Sequence, residues 1–360
     1  MNKKINFAEL AQKLHVKILS PKSVINDKWF IGSALQSVDF KNFKRGIYFY
    51  EQPTIWTRML DVEIINPYWE IKNDTTNFLI VNESEYQQIS LLKEILKFYL
   101  DKTNEKKDTL YFFGEPWSLL EEEYSIEVNN LKLPFFIEKK EVGSYLKIYQ
   151  KRGEVFYPLI DCTRFEINSN KYFEININSS YMDMAINKLK TIFESEKYAS
   201  IFSAIKLENT ITDQRAIRLY SLTYTLQYLS NLNLPVDSSY MGHSIKKMLK
   251  MLALQIKLLK VNSAVFDKLM SKTYFDLLRR EIQRLDHFDK SLLTQIDSHT
   301  LMDRYGISRD FQLALTNKLV VYRNYDSVIY YTDIPFCPQI NSEEQFIFTM
   351  KSIQRKKETK

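Results

Sequence analysis

"YGISRDFQLALTNKLVVYRNYDSVIYYTDI" occupies Tyr305 to Ile334. Gly306 stands where a tight turn would join two helices. Ser308 is a residue type that caps a helix by accepting a backbone N–H of its first turn. Beyond it Phe311, Ala314, Leu315 and Leu319 repeat at helical spacing, which leaves Arg309, Asp310, Gln312, Thr316 and Asn317 on the opposite face. VVYR and SVIYYT flank Asn324-Tyr325-Asp326, so a hairpin is expected over 320–332 with Arg323 beside its turn. The layout predicts a helix-turn-helix over TLMDRYGISRDFQLALTNKL, closed by a two-stranded wing. Arg309, Gln312, Thr316 and Asn317 would then reach base edges in a major groove, and Arg323 a backbone phosphate. Asp310 on the same face would repel phosphate. A helix and hairpin closing an ordinary core is the alternative with the same pattern.

Charge points to the same end of the chain. The 360 residues carry 50 Lys and Arg against 44 Asp and Glu, a net +6. Residues 1–235 are balanced, so the excess lies in the last third. Ser238 to Phe266 holds five lysines and no acid, and the tail KSIQRKKETK is basic. On a helical wheel Lys246, Lys247, Lys250, Lys257 and Lys260 share one sector of SIKKMLKMLALQIKLLK, opposite Ile245, Leu249, Leu252 and Ile256. Such a face can track a phosphate backbone, since each neutralised phosphate releases counterions. A membrane-surface helix or a solvated face without a partner would look alike.

Composition removes several classes. Seven glycines and the absence of GxGxxG and GxxxxGK[ST] argue against phosphate loops. Cys162 and Cys337 lack CxxC spacing and suit a reducing compartment, so the cytoplasm is expected. No apolar run approaches the roughly 20 residues of a membrane span, and MNKKINFAEL lacks a signal-peptide core. His15, His243, His287 and His299 are scattered, no GxSxG elbow exists, and no cofactor is expected. FFIEKKE offers Glu138-Lys139-Lys140, a triplet that a metal-dependent nuclease could use, without a clear aspartate on a preceding strand. Glu121-Glu122-Glu123 reads as a solvated helix end. In SYLKIYQKRGEVFY, alternating aromatic and basic residues could stack unpaired bases while Lys147, Lys151 and Arg152 hold the backbone.

Periodicity gives an α+β chain. NFAELAQKLHVKIL and EYQQISLLKEILKFYLDK read as helices, GIYFYEQPTIW and NFLIVN as strands. LPFFIEKK, SYLKIYQKRG, VFYPLID and KYFEININ predict four short strands with tight turns. From about Ser180 the period becomes helical. Expected divisions are a mixed α/β domain over 1–130, one unit over 131–235, another over 236–340, and a basic tail over 341–360, with the break between the two middle units near Pro235.

Residues 140–230 carry a family resemblance. KYFEININ, TIFESEKYASIF and Ala216-Ile217-Arg218-Leu219-Tyr220-Ser221-Leu222 resemble plasmid replication initiators with tandem winged helices, where a helix follows a hairpin and an R-L-Y core opens the second unit. The resemblance implies two winged-helix-like units that bind repeated origin sequences in double-stranded DNA, following the N-terminal mixed α/β domain that the periodicity alone predicts. It also implies a homodimer form and host replication proteins as partners, with Arg215 or Arg218 supporting one winged unit. Without the family, Ile217, Leu219, Tyr220 and Leu222 would pack a core while both arginines formed ion pairs. A structural or interaction protein of a phage or mobile element is the rival reading, and a metal-dependent nuclease the next.

Overall fold

The computed structural model describes residues 6–26, 29–32, 37–38, 43–56, 73–114, 128–129, 134–137, 140–152, 155–189, 194–205, 207, 214–288, 291–297, 300–301, 307, 320–324 and 327–330. Helix α1 (Phe7–Lys13) leads into β1 (Lys17–Ile18), β2 (Ile25–Asn26), β3 (Trp29–Phe30), β4 (Gly46–Ile55) and β5 (Asn73–Asn82). Then come α2 (Glu85–Thr103), β6 (Leu110–Gly114), β7 (Val128–Asn129), β8 (Pro134–Ile137), β9 (Lys140–Arg152), β10 (Val155–Ile167) and β11 (Asn170–Asn178). Helices follow: α3 (Ser179–Asn187), α4 (Ala199–Ile205), α5 (Gln214–Asn231), α6 (Tyr240–Leu258), α7 (Lys272–Asp286) and α8 (Leu292–Gln295). The hairpin β12 (Val320–Asn324) and β13 (Ser327–Tyr330) is the last described part. The molecule is mixed α and β, as the periodicity predicts.

Nine strands form one sheet in the order β1-β4-β5-β11-β10-β9-β6-β7, with β8 also on β9. β1 runs parallel to β4 and β7 parallel to β6, while the other pairs are antiparallel. The strands are longer than expected, because β9 and β10 each run 13 residues. The expected division at 130/131 falls inside this sheet, since β5 pairs with β11. KYFEININ, expected as a hairpin strand, is the central β11, paired on both edges. Asn168 and Ser169, both at positive φ, make the two-residue turn into it; that turn type follows the natural twist of the two strands.

Both sheet faces are covered, which explains the aromatic content. On one face Phe49, Leu79, Phe112, Ile148, Cys162 and Ile175 pack under the helices in a cluster that runs from Phe7 to Ile307. On the other, Tyr50, Phe78, Ile80, Phe165 and Tyr172 form a smaller cluster. Burial pushes the Cys162 thiol well up, so it stays protonated and inert.

A polar pin joins sheet and helices. Asp74 on β5 has a fully buried side chain and accepts the Ser180 backbone N–H (3.1 Å), the Ser180 hydroxyl (2.9 Å) and the Lys197 ammonium (2.6 Å). It therefore satisfies an orphan N–H at the start of α3 from about 100 residues away in sequence. Burial alone would lower the Lys197 pKa; the Asp74 carboxylate, with Tyr198 and Tyr224, outweighs it and the net shift is upward. Lys197 also lies over the rings of Tyr198 and Tyr224. Tyr198 itself is fully buried in the core.

Candidate nucleic-acid interface

α6 begins at a firm cap. The Ser239 hydroxyl accepts the Gly242 N–H (3.1 Å), and Asp237 accepts the Ser239 N–H (2.9 Å) and its hydroxyl. These bonds, the Ser239 hydroxyl first, pull the Asp237 carboxyl below its usual range. Only glycine fits at 242, because a Cβ there would lie 2.5 Å from the Asp237 backbone nitrogen. Ser244, Ile245, Met248 and Leu249 are buried, while His243 and Lys246 are exposed and Lys247 and Lys250 half-buried. The lysine stripe read from the wheel is interrupted, because Met251 to Ile256 are buried all round. This part of α6 is core on every side. Lys257 emerges beyond it and is ion-paired with Asp286. Lys260 follows the helix end, exposed.

α7 packs by a single stripe: Tyr274, Leu278, Ile282 and Leu285 are buried at spacings of four, four and three. The Tyr274 hydroxyl donates to the Leu234 carbonyl (3.1 Å), and the Ser271 N–H to the Ser230 hydroxyl (3.2 Å), which tie the start of α7 to the end of α5. The other side exposes Lys272, Thr273, Arg279, Arg280 and Gln283. Residues 240–288 hold ten Lys and Arg and four Asp and Glu, an excess equal to the whole chain's. Two of those acids are engaged, Glu281 with Arg284 (2.8 Å) and Asp286 with Lys257. Lys260, Lys268, Lys272, Arg279 and Arg280 form no ion pair among the described residues. The sequence reading did not single out α7. Its signal is RREIQR, Arg279 to Arg284, within a helical repeat of Tyr274, Leu278, Ile282 and Leu285.

The remaining expected contacts scatter. Val320–Asn324 and Ser327–Tyr330 do pair as an antiparallel hairpin, with Arg323 opposite Val328 and Asn324 opposite Ser327. Arg309, Gln312, Thr316 and Asn317 lie outside the described residues, as do Gly306 and Ser308. Between them Ile307 is fully buried and its N–H donates to the Leu301 carbonyl (3.0 Å). Arg215 stands in the first turn of α5. Arg218, on the same helix, is only 8% exposed beside the fully buried Leu219, so it is a packed residue rather than a surface contact.

Much of the basic and aromatic run on β9 and β10 serves the fold. Tyr149 and Tyr157 are buried. Arg152 donates to Glu105 (3.0 Å) and to the Ala185 carbonyl (2.6 Å), and Lys147 is paired with Asp161 (2.6 Å). Strand alternation places these aromatics in cores that cover both faces. On the smaller-cluster face Tyr50, Phe78, Asn176, Asp161 and Lys147 stand side by side across five strands. Glu174, one pair along, is buried, and burial pushes its carboxyl up to about 7 against hydrogen bonding from Asn176. Among the described residues no three His, Cys, Asp or Glu side chains are grouped to hold a metal ion. Glu138 and Lys139 lie outside the described residues. Among the described residues no helix is long and apolar enough to cross a membrane. The chain matches no protein-family model and no curated protein sequence.

Proposed function

We propose that the chain is a sequence-specific double-stranded-DNA-binding protein, a replication initiator of a plasmid or related mobile element that works without a cofactor. The observation that carries this reading is the charge imbalance of α6 and α7: the exposed Lys246, Lys272, Arg279 and Arg280 face outward on a framework fixed by the α5–α7 contacts. Phosphates are the partner that such a surface attracts irrespective of sequence. Readout of bases falls in this reading to the helix expected over 308–319, with the 320–330 hairpin beside it as the wing. The resemblance supplies the origin repeats, the homodimer and the host partners.

The test is binding of a labelled duplex by the full chain at 50 and 200 mM salt. A binder making several phosphate contacts loses on the order of a thousandfold in affinity over that range. Replacing Arg279 and Arg280 together by alanine is expected to reduce the salt slope by about two and to weaken specific and nonspecific duplexes alike. No duplex binding at 50 mM salt overturns the reading and leaves the structural or interaction protein. An unchanged salt slope in the double variant removes α7 from it.

A further inference from the structure

Five large hydrophobic side chains stand exposed among the described residues, and two of them touch. Trp29 on β3 is 50% exposed and Tyr240, the first residue of α6, 45%; their ring centroids are 3.8 Å apart at 49°. Phe30, beside Trp29, is buried in the main core. The hairpin pairing of Asn26 with Trp29 and Ile25 with Phe30 puts one ring inside and the next outside. On the α6 side of the pair the described charged residues that follow it are basic. His243 is exposed one turn along α6, Lys246 is exposed, and Lys247 and Lys250 follow half-buried. Asp237, three positions before Tyr240, is held by Ser239 in the helix cap, and Lys246 acts on its charge. Asp27 and Lys28, between the two strands of the hairpin, lie outside the described residues.

We propose that Trp29 and Tyr240 form a platform on which an unpaired base of a single-stranded nucleic acid stacks, with Lys246 and Lys250 on the adjoining phosphates. An aromatic pair with exposed ring area beside cations matches the two things every single strand offers, a base face and a charged backbone. A duplex does not fit the same surface, because its base faces are already stacked and separating a step costs a few kcal/mol. The platform is therefore distinct in partner from the duplex contact proposed for α7, and stands or falls separately from it.

Titrating the full chain with oligo(dT) of about 15 nucleotides, in low salt, tests it through tryptophan emission and through anisotropy of the labelled strand. Wild type is expected to bind with quenching that Trp29→Phe removes, while Trp29→Phe keeps most of the affinity because a ring remains. Trp29→Ala and Tyr240→Ala are each expected to weaken oligo(dT) binding by about 10- to 100-fold. Circular dichroism checks that both alanine variants are folded. The Arg279 and Arg280 double alanine variant is expected to lose duplex affinity and keep its oligo(dT) affinity. No oligo(dT) binding by wild type, or wild-type affinity in a folded Trp29→Ala, overturns the platform whatever the duplex result.

Discussion

Lys147 on β9 and Arg280 on α7 are both basic residues in regular elements, and they stand in opposite electrostatic settings. Lys147 has Asp161 directly across the strand pair, and its neighbour Arg152 is shared between Glu105, Gln150 and a helix carbonyl. Arg280 is exposed and has no ion-pair partner among the described residues. The difference teaches where charge serves the fold and where it is left for a partner. Between strands, a cation near a buried surface must be neutralised, since a buried unpaired charge is expensive. On α7 the charged side faces water, where leaving a charge unpaired costs little.

The contrast breaks most visibly at the sheet side. Asp74→Ala leaves Lys197 and the start of α3 without their acceptor, and the expected loss is about 3–5 kcal/mol in urea unfolding. A loss under about 1 kcal/mol would mean that the pin is ornamental. Next comes Glu174. Its carboxyl, ordinarily at 4.5, is raised to about 7 in the folded chain, so between those values the folded state holds a proton that the unfolded state has released. The stability it gives is present below pH 4.5 and is lost as pH rises through 7, falling by about 1.4 kcal/mol per pH unit inside the window. Glu174→Gln is expected to flatten that part of a plot of urea midpoint against pH. The smallest effect belongs to the helical pair: Lys257→Ala removes an exposed ion pair with Asp286, and melting is expected to report less than about 1 kcal/mol. A larger value would show that charge on α6 and α7 supports the fold after all.

Local periodicity made many elements readable. EYQQISLLKEILKFYLDK is α2, and Ser84 with Gln87 closes a reciprocal capping box at its start. KYFEININ is β11, and VVYR with SVIY forms the hairpin. Sheet order was not readable, because the pairing of β5 with β11 is decided by long-range burial and not by either strand's own pattern. The wheel of α6 puts Ile245, Leu249, Leu252 and Ile256 on the buried side, as found, and the five lysines outside it. It could not show that Ala253 and Leu254 between those lysines are covered, because what covers them comes from elsewhere in the fold. Arg279 and Arg280 escaped notice since lack of compensation is a property of three-dimensional neighbours. Trp29 and Tyr240 are 211 positions apart, and no sequence spacing brings them together.

The pairing of β5 between β4 and β11 also governs how the chain is born. After Asn82 leaves the ribosome, roughly 90 residues must be synthesised before β11 arrives, about 5 to 18 s at typical elongation rates. Throughout that interval the nascent β4–β5 hairpin presents a bare edge rich in Phe, Leu, Ile and Val, open to the wrong strand from a neighbouring chain. Slowed elongation or loss of a holding chaperone should therefore harm the yield of this protein more than its finished stability.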